Sequence, residues 1–395
     1  MGIILGLLAI AIVFALSYLI SNDKKNINYK GIIIMLILEL IITWFMFSTQ
    51  IGAMIINGIS SVFNKLIEFG AAGIQFVLGG FELQEGGVFF FNVLLLIVFF
   101  ATILSVLTYL KILPTIIKWV GGVVSKATGL PKIESFNGVN SIFFGQSEAL
   151  LAIKSQFHHL TENRLYTVSA SAMSSVSASI VGSYIQILPE KYILIALPLN
   201  MFNSLIISSF IAPIKVSKED DEIDIADVCT DKSLFEAMGN GALDGGRVAL
   251  IVAANLIAFI ASLELVNWII QSVFAGVTLQ QILGYIFAPI GYLMGIPANE
   301  LIKAGSIMAT KIVTNEFVAM LEFQPLLEVM SEKAIGIITV FLTSFANFSS
   351  IGIIAGTVKG IDAEKASIVS KFGMKLLGGS ILASILSATV TGLFL

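Results

Sequence analysis

The sequence predicts an all-α polytopic membrane protein: about eight transmembrane helices plus two oppositely oriented re-entrant hairpins, arranged as an inverted repeat. Three observations lead there. Hydrophobic residues make up 57% of the 395 residues and charged residues 12%, about half the charged share of a soluble domain, and mean hydropathy is +0.96. Eight apolar runs have the length a bilayer core requires, and the chain has room for about eight crossings at roughly 20 residues each. Two further segments, 133–160 and 300–323, have apolar arms but polar middles, which a lipid-facing helix would not tolerate.

The first apolar run, 3–20, lacks a basic leader and an A-x-A cleavage site and is followed by Lys24, Lys25 and Lys30. It reads as an uncleaved span with its N-terminus outside. Further spans are expected near 32–47, 89–110, 165–184, 192–214, 248–270, 334–356 and 376–395. Lys111 and Lys118 after the third span, Lys215 and Lys218 after the fifth, and Lys359, Lys365, Lys371 and Lys375 before the last all fit the cytoplasm, which puts both termini outside. Residues 51–80 and 278–297 are apolar but interrupted by glycine and read as interfacial or tilted helices.

This alternation of sides holds only if 133–160 and 300–323 each enter and leave on one side, as hairpins buried in protein do. One opens inward and the other outward. The hairpin-plus-two-spans unit then occurs twice in inverted orientation, an arrangement associated with alternating access. Four parts follow: scaffold helices in 1–132; a first transport repeat in 133–214; an acidic cytoplasmic loop, a scaffold span and an interfacial helix in 215–299; and a second transport repeat in 300–395. The loop sequence KEDDEIDIADVCTDK, 218–232, reads as a solvated cytoplasmic segment.

Charge and composition exclude several functions. A net charge of −4 offers no basic surface for phosphates, so nucleic acid is not an expected partner. Cys229 is the single cysteine, so no intramolecular disulfide or thiolate cluster can form, and the adjacent His158 and His159 do not make a zinc site alone. With no nucleophile and base pair and no metal set, neither an enzyme nor a cofactor is expected.

The polar chemistry is concentrated at the two hairpins and the spans that face them. Polar groups at membrane depth are costly and mark substrate or ion paths. At the first tip, Gly145 permits a turn, and Gln146, Ser147 and Glu148 supply amide, hydroxyl and carboxylate to suit a heterocycle with donors and acceptors. The facing span carries Ser169, Ser171, Ser174, Ser175, Ser177 and Ser179. Most of these suit close helix packing, while Ser175 falls where an unwound turn would meet the tip. In the second repeat Asn315 and Glu316 occupy the tip, and Asn347, Ser349 and Ser350 the facing break, with Phe345 and Phe348 beside them. Carboxylate, amide and hydroxyl next to an aromatic wall describe a sugar site. Glu39 and Glu264 are also intramembrane carboxylates without a polar cluster nearby in sequence, and an oligomer contact or interfacial position is expected for each. Lys154 and Lys311, in the hairpin arms, are expected to snorkel or to pair with a carboxylate.

The strings GQSEALLAIK, SAMSSVSASIVGSY, IMATKIVTNEFVAM and FANFSSIGIIAGTVKG, in that order, resemble the signatures of the concentrative nucleoside transporter family and most closely its bacterial NupC-type branch. The resemblance covers essentially the whole chain. It implies an elevator-type homotrimer in a bacterial inner membrane, each protomer with its own path. Carried over by motif, Gln146, Ser147, Glu148 and Ile180 would surround the nucleobase, and Glu316, Phe345, Asn347 and Ser350 would hold the ribose. Sodium-coupled relatives place an asparagine four residues before the tip glycine. Here that position is Ser141, with Phe144, Ser175 and Val176 at the other matching positions, and loss of the amide oxygen removes a good hard-cation ligand. The expected coupling ion is therefore the proton, with Glu148 or Glu316 as the proton site, since a carboxylate in a dry pocket holds a proton more tightly than in water. Sodium coupling, or a symporter of the same fold for another small polar solute, is the alternative. The branch implies pyrimidine nucleosides such as uridine plus adenosine, with guanosine poor.

Overall fold

The computed structural model describes residues 2–79, 88–216, 231–274 and 276–395, and among them every regular element is a helix. Gly80, Cys229 and nearly all of the acidic 218–232 segment lie outside the described residues. The first two spans are α1 (Gly2–Leu19) and α2 (Tyr29–Ser48), apolar on all sides as membrane helices are. Asn28 caps α2 by accepting the Gly31 N–H at 2.9 Å. Helix α3 (Gln50–Leu78) runs unbroken for 29 residues through its glycines. A π-helical turn, Phe90–Leu94, leads into α4 (Leu96–Tyr109) to complete the third span. Helix α5 (Ile112–Thr128) follows Lys111, whose φ of 59° turns the chain sharply. The sequence reading placed no helix at α5, which is amphipathic and so too short of apolar residues to register as a span.

The first repeat is α6 (Lys132–Phe143), α7 (Gln146–Leu151), a 3-10 turn (Lys154–His159), α8 (Glu162–Ser174), α9 (Ala178–Ile185) and α10 (Glu190–Ile211). Between the repeats lie α11 (Leu234–Val273) and α12 (Leu279–Met294). The second repeat is α13 (Leu301–Val313), α14 (Glu316–Phe323), α15 (Glu332–Leu342), α16 (Phe348–Ile361) and α17 (Ala363–Phe394). Both hairpins form where expected. Seven apolar helical stretches among the described residues are long enough to cross a membrane. The expected eighth, at 334–356, is split into α15 and α16, of 11 and 14 residues, neither of which could cross alone.

Helix α17 sits at the centre, packed on α1, α8, α10, α15 and α16. Helix α11 starts at Leu234, well before the expected 248. Its Gly-rich stretch does not break it, because those glycines let α4 come close: a Cβ at Gly241 would lie 2.9 Å from the Thr102 Cα, and one at Gly245 2.7 Å from the Val98 Cα. Within the first repeat, Arg164 of α8 grips Glu134 of α6 through two hydrogen bonds, Nε to Oε1 at 2.6 Å and Nη2 to Oε2 at 3.2 Å, both side chains buried.

Two expectations for charged residues are corrected. Glu39 is fully buried inside the protomer, so it neither contacts another copy nor reaches an interface; α10 and α17 pack over its helix. Lys311 does not snorkel or close a salt bridge. It is fully buried and donates to the Phe341 carbonyl at 2.7 Å and to Ser344 Oγ at 2.6 Å, with Ser384 Oγ at 3.4 Å. Glu264 is exposed on α11, and Lys154 is exposed after the first hairpin.

Candidate functional site

Four interruptions of helix carry the polar residues: the tips Phe144–Gly145 and Thr314–Asn315, and the breaks between α8 and α9 and between α15 and α16. Side chains supply the caps that interrupted helices need. Ser177 caps α9 by accepting from the Ser179 N–H at 3.3 Å, Asn315 caps α14 through the Val318 N–H at 3.0 Å, and Asn347 caps α16 through the Ser350 N–H at 3.0 Å. The asparagines and serines noted in the sequence are therefore what permits the helices to stop within the protein. The two breaks also meet directly, with the Phe345 N–H donating to the Ser175 carbonyl at 3.2 Å.

The second-repeat cluster forms as the sequence suggested. Glu316 is 5% exposed, and its Oε2 accepts from Asn347 Nδ2 at 3.1 Å. The Asn347 oxygen receives the Ser349 hydroxyl at 2.7 Å, and the single Ser350 hydroxyl proton goes to the Phe345 carbonyl at 2.5 Å with the Asn347 oxygen 3.2 Å away. Phe345 is buried beside them, whereas Phe348 is 46% exposed. Sequence reasoning missed Tyr184, whose hydroxyl donates to Glu316 Oε1 at 3.0 Å and whose ring meets Phe317 edge-on at 4.9 Å between centroids. It closes the quoted string SAMSSVSASIVGSY, but nothing local signals a partner 132 positions away.

The first-repeat cluster is more open. Glu148 borders a cavity of about 550 Å³ together with Gly145, Ser177 and Ser179 and, from α11, Asp244 and Arg247. The need for Gly145 differs from expectation: its φ of −65° is available to any residue, and what glycine provides is room, since a Cβ would lie 2.5 Å from Glu148 Oε2. The Ser147 and Thr357 hydroxyls are 2.8 Å apart, tying the first tip to α16. Gln146 Oε1 is buried without a hydrogen-bond partner, and Ile180 is buried in the first turn of α9. Glu316, Asn347 and Ser350 do not border this cavity. The structure thus gathers the second-repeat cluster, whereas of the first-repeat set Glu148 borders the cavity and Gln146, Ser147 and Ile180 do not; the two regions are linked through the Phe345–Ser175 bond and the Ser147–Thr357 contact.

At the positions compared with sodium sites, the Ser141 hydroxyl donates to the Asn137 carbonyl at 2.7 Å on its own helix, and the Ser175 hydroxyl is buried without a partner. Phe144 forms the first tip, and Val176 is buried in the break. No group of three or more metal-binding side chains occurs among the described residues.

Comparison with known proteins places these features in a family. Models described as "Na+ dependent nucleoside transporter" match residues 192–392 at their C-terminal part and 8–81 at their N-terminal part, and one described as "Nucleoside recognition" matches 90–191. Among curated proteins, the purine nucleoside transport protein NupG of Bacillus subtilis is 38% identical over the full length of both chains. Nucleoside permease NupC of Helicobacter pylori is 30% identical, covering 99% of this chain and 97% of its own. Among solved structures, CNTnw in an inward-facing substrate-bound state superposes with a TM-score of 0.94 at 30% identity, over 100% of this chain and 99% of that one. With an all-helical fold, inverted hairpins and polar breaks matched along the entire length, the chain belongs to the concentrative nucleoside transporter family, bacterial branch, a family of elevator-type membrane transporters and not of enzymes.

Proposed function

We propose that the protein is a proton-driven nucleoside symporter that imports its substrate across the bacterial inner membrane as a homotrimer, with both termini outside. The observation that carries the reading is Glu316: a buried carboxylate oriented by Tyr184 and Asn347 at a helix break, beside Ser350 and the Phe345 ring. Vicinal ribose hydroxyls are donors that a carboxylate accepts in pairs, and the ring excludes water from them. On this reading Gln146, Ser147, Glu148 and Ile180 meet the base, where the unpaired Gln146 oxygen and the Glu148 carboxylate accept from exocyclic amino or ring N–H groups. Residues 1–132 and 215–299 act as scaffold around the repeats 133–214 and 300–395, which carry the substrate.

Proton rather than sodium coupling is supported by the oxygens present. Among the compared positions, Ser141 offers a hydroxyl in place of an amide oxygen and Phe144 and Val176 offer no side-chain oxygen, which leaves the Ser175 hydroxyl and main-chain carbonyls for a hard cation that needs several ligands. Glu148 and Glu316 are the carboxylates placed to take up a proton at the substrate site. Base selectivity has two supports that differ: the branch resemblance favours pyrimidine nucleosides with adenosine, while the NupG relative is named for purine nucleosides. Adenosine belongs to both sets and is the first substrate to test.

The test is uptake of labelled uridine, adenosine and guanosine into proteoliposomes, with proton and sodium gradients imposed separately. Accumulation driven by the proton gradient alone supports the reading. Accumulation with sodium alone keeps the substrate and overturns the coupling ion. Absence of uptake of all three under either gradient overturns the substrate class.

A further inference from the structure

The most isolated ionisable group described in the protein is Glu39. It lies midway along α2, so roughly 15 Å of helix separates it from either end. Its side chain is fully buried, and neither carboxyl oxygen receives a hydrogen bond. An ionised carboxylate left in this condition is costly, and such groups are kept only where something compensates them.

The surroundings hold more acceptors than donors and no cation. Asn203 of α10 is the polar side chain beside the Glu39 carboxyl. One Nδ2 hydrogen of Asn203 goes to Ser387 Oγ of α17 at 3.0 Å, the other is the one donor facing Glu39, and the Asn203 oxygen is buried and unpaired. The Ser387 hydroxyl in turn donates to the Ala383 carbonyl at 3.1 Å. Against that one N–H stand three acceptor oxygens, two of Glu39 and one of Asn203, where α2, α10 and α17 meet, so the junction is short of a donor. Charged side chains do not resolve this. The elements packed on α2 are α3, α5, α10 and α17, and no charged group from any of them acts on Glu39. Glu190 and Lys191 start α10, about 20 Å along the helix from Asn203, and Lys375 on α17 is about 18 Å from Ser387. Lys65 and Glu68 of α3 form an exposed pair with each other, and Lys118 and Lys126 of α5 are exposed or only half-buried.

We infer that Glu39 is a proton-binding site separate from the nucleoside pocket: a proton on its carboxyl supplies the missing donor at the α2–α10–α17 junction, and it is exchanged with water during transport. The chemistry favours a proton over a metal ion because three oxygens fall short of the set a hard cation needs, whereas one proton makes good the missing donor. In the proposed division of the chain, α2 belongs to the scaffold and α10 and α17 to the moving repeats, so motion between them is what would open the junction to water. This step rests on the symport reading above.

The test is infrared titration of the full-length protein in proteoliposomes, with a pH series of nucleoside uptake on the same preparation. The expected result is a carboxylic acid C=O band that disappears at alkaline pH, is missing in Glu39→Gln, and persists in Glu316→Gln. Uptake by Glu39→Gln should lose its rise toward acid pH, and accumulation in a gradient of one pH unit should fall about tenfold, the free energy of one proton crossing it. If the glutamine variant fails to assemble, Glu39→Asp retains the acid and should show a shifted band with a shifted uptake profile. A Glu39→Gln spectrum that loses no C=O band relative to the unmodified protein overturns the site, since Glu148 and Glu316 contribute bands of their own. A band that is lost while the uptake profile matches that of the unmodified protein overturns the exchange, as does a band unresponsive to pH. An uptake defect that tracks sodium and not pH overturns the proton as ligand. Failure of the unmodified protein to take up any nucleoside would instead sink the symport reading, and the infrared titration would still decide Glu39.

Discussion

The main-chain N–H of Phe345 donates to the Ser175 carbonyl at 3.2 Å, so the unwound turns of the two repeats are joined by backbone as well as by side chains. Each break leaves main-chain groups that lipid cannot satisfy, and here one break satisfies the other. The bond does not depend on the Phe345 side chain, so the ring and the link can be separated by substitution. Phe345→Ala keeps the N–H and removes the ring wall, and should raise the KM for nucleoside about tenfold while uptake continues, with the stability loss of about 3–5 kcal/mol usual for emptying a buried aromatic position. Phe345→Pro removes the donor, and should lose uptake and lower the melting temperature together. Transport kinetics and a thermal-shift assay on the two variants check this.

Glu316 and Tyr184 should differ in degree. Glu316→Gln removes the acceptor proposed for the ribose hydroxyls and should abolish uptake while the protein assembles normally. Tyr184→Phe removes one hydrogen bond to that carboxyl, worth about 1.5–3 kcal/mol when the acceptor is charged, and should weaken substrate affinity between about ten- and a hundredfold. Equilibrium binding of labelled nucleoside reads both, and wild-type affinity in the glutamine variant would remove Glu316 from the site.

Gly145→Ala tests the space beside Glu148. The added methyl would force the carboxylate away from its position 2.5 Å from the new Cβ, while the backbone conformation remains allowed. Expression and melting temperature should stay close to normal, with the loss falling on uptake. A Ser147→Thr variant, whose methyl would crowd the contact with Thr357, should retain transport and shift the preference among uridine, adenosine and guanosine in competition assays.

The buried Glu134–Arg164 pair should be sensitive to removal of one partner only. Arg164→Met takes the guanidinium away from a buried carboxylate and should cost about 3–5 kcal/mol, whereas Glu134→Leu combined with Arg164→Met should recover most of that loss. Melting temperatures of the single and double variants in detergent give the comparison. A double variant as unstable as the single would mean that the pair holds α6 to α8 by more than charge balance.

The parts of this fold legible in the sequence were those set by local pattern. The apolar runs gave α1, α2 and α10 to within a few residues, because a helix that crosses a bilayer must be apolar along most of its length, whether it faces lipid as α1 does or protein as α10 does. The breaks were visible as Ser175–Ser177 and Asn347–Ser350, since only capping residues let a helix stop inside a protein. What was not legible depended on partners distant in sequence. The start of α11 was obscured because glycines that ordinarily end helices here serve contact with α4. The tyrosine at 184 looked like the end of a span until Glu316 was seen against it. Glu39 looked peripheral because Asn203 and Ser387 reach its neighbourhood from helices far along the chain.

Helix α11 has 40 residues, about 60 Å at the usual helical rise, and meets a hydrocarbon layer only about 30 Å thick. Its Asp244–Arg247 pair is exposed and suits the aqueous side, yet the apolar remainder from 248 to Val273 is still about 39 Å long. That remainder carries exposed Glu264, so it meets the bilayer by leaning roughly 40° from the normal, by thickening the lipid around it, or by holding Glu264 and the turns after it among the headgroups. Because α4 packs along α11 through Gly241 and Gly245, a change in lean is carried to α4, and through its contacts with α9 to the first break. Bilayer thickness is thus a mechanical input to the substrate path: lipids with shorter or longer chains would alter the rate of transport without touching a single residue that meets the nucleoside.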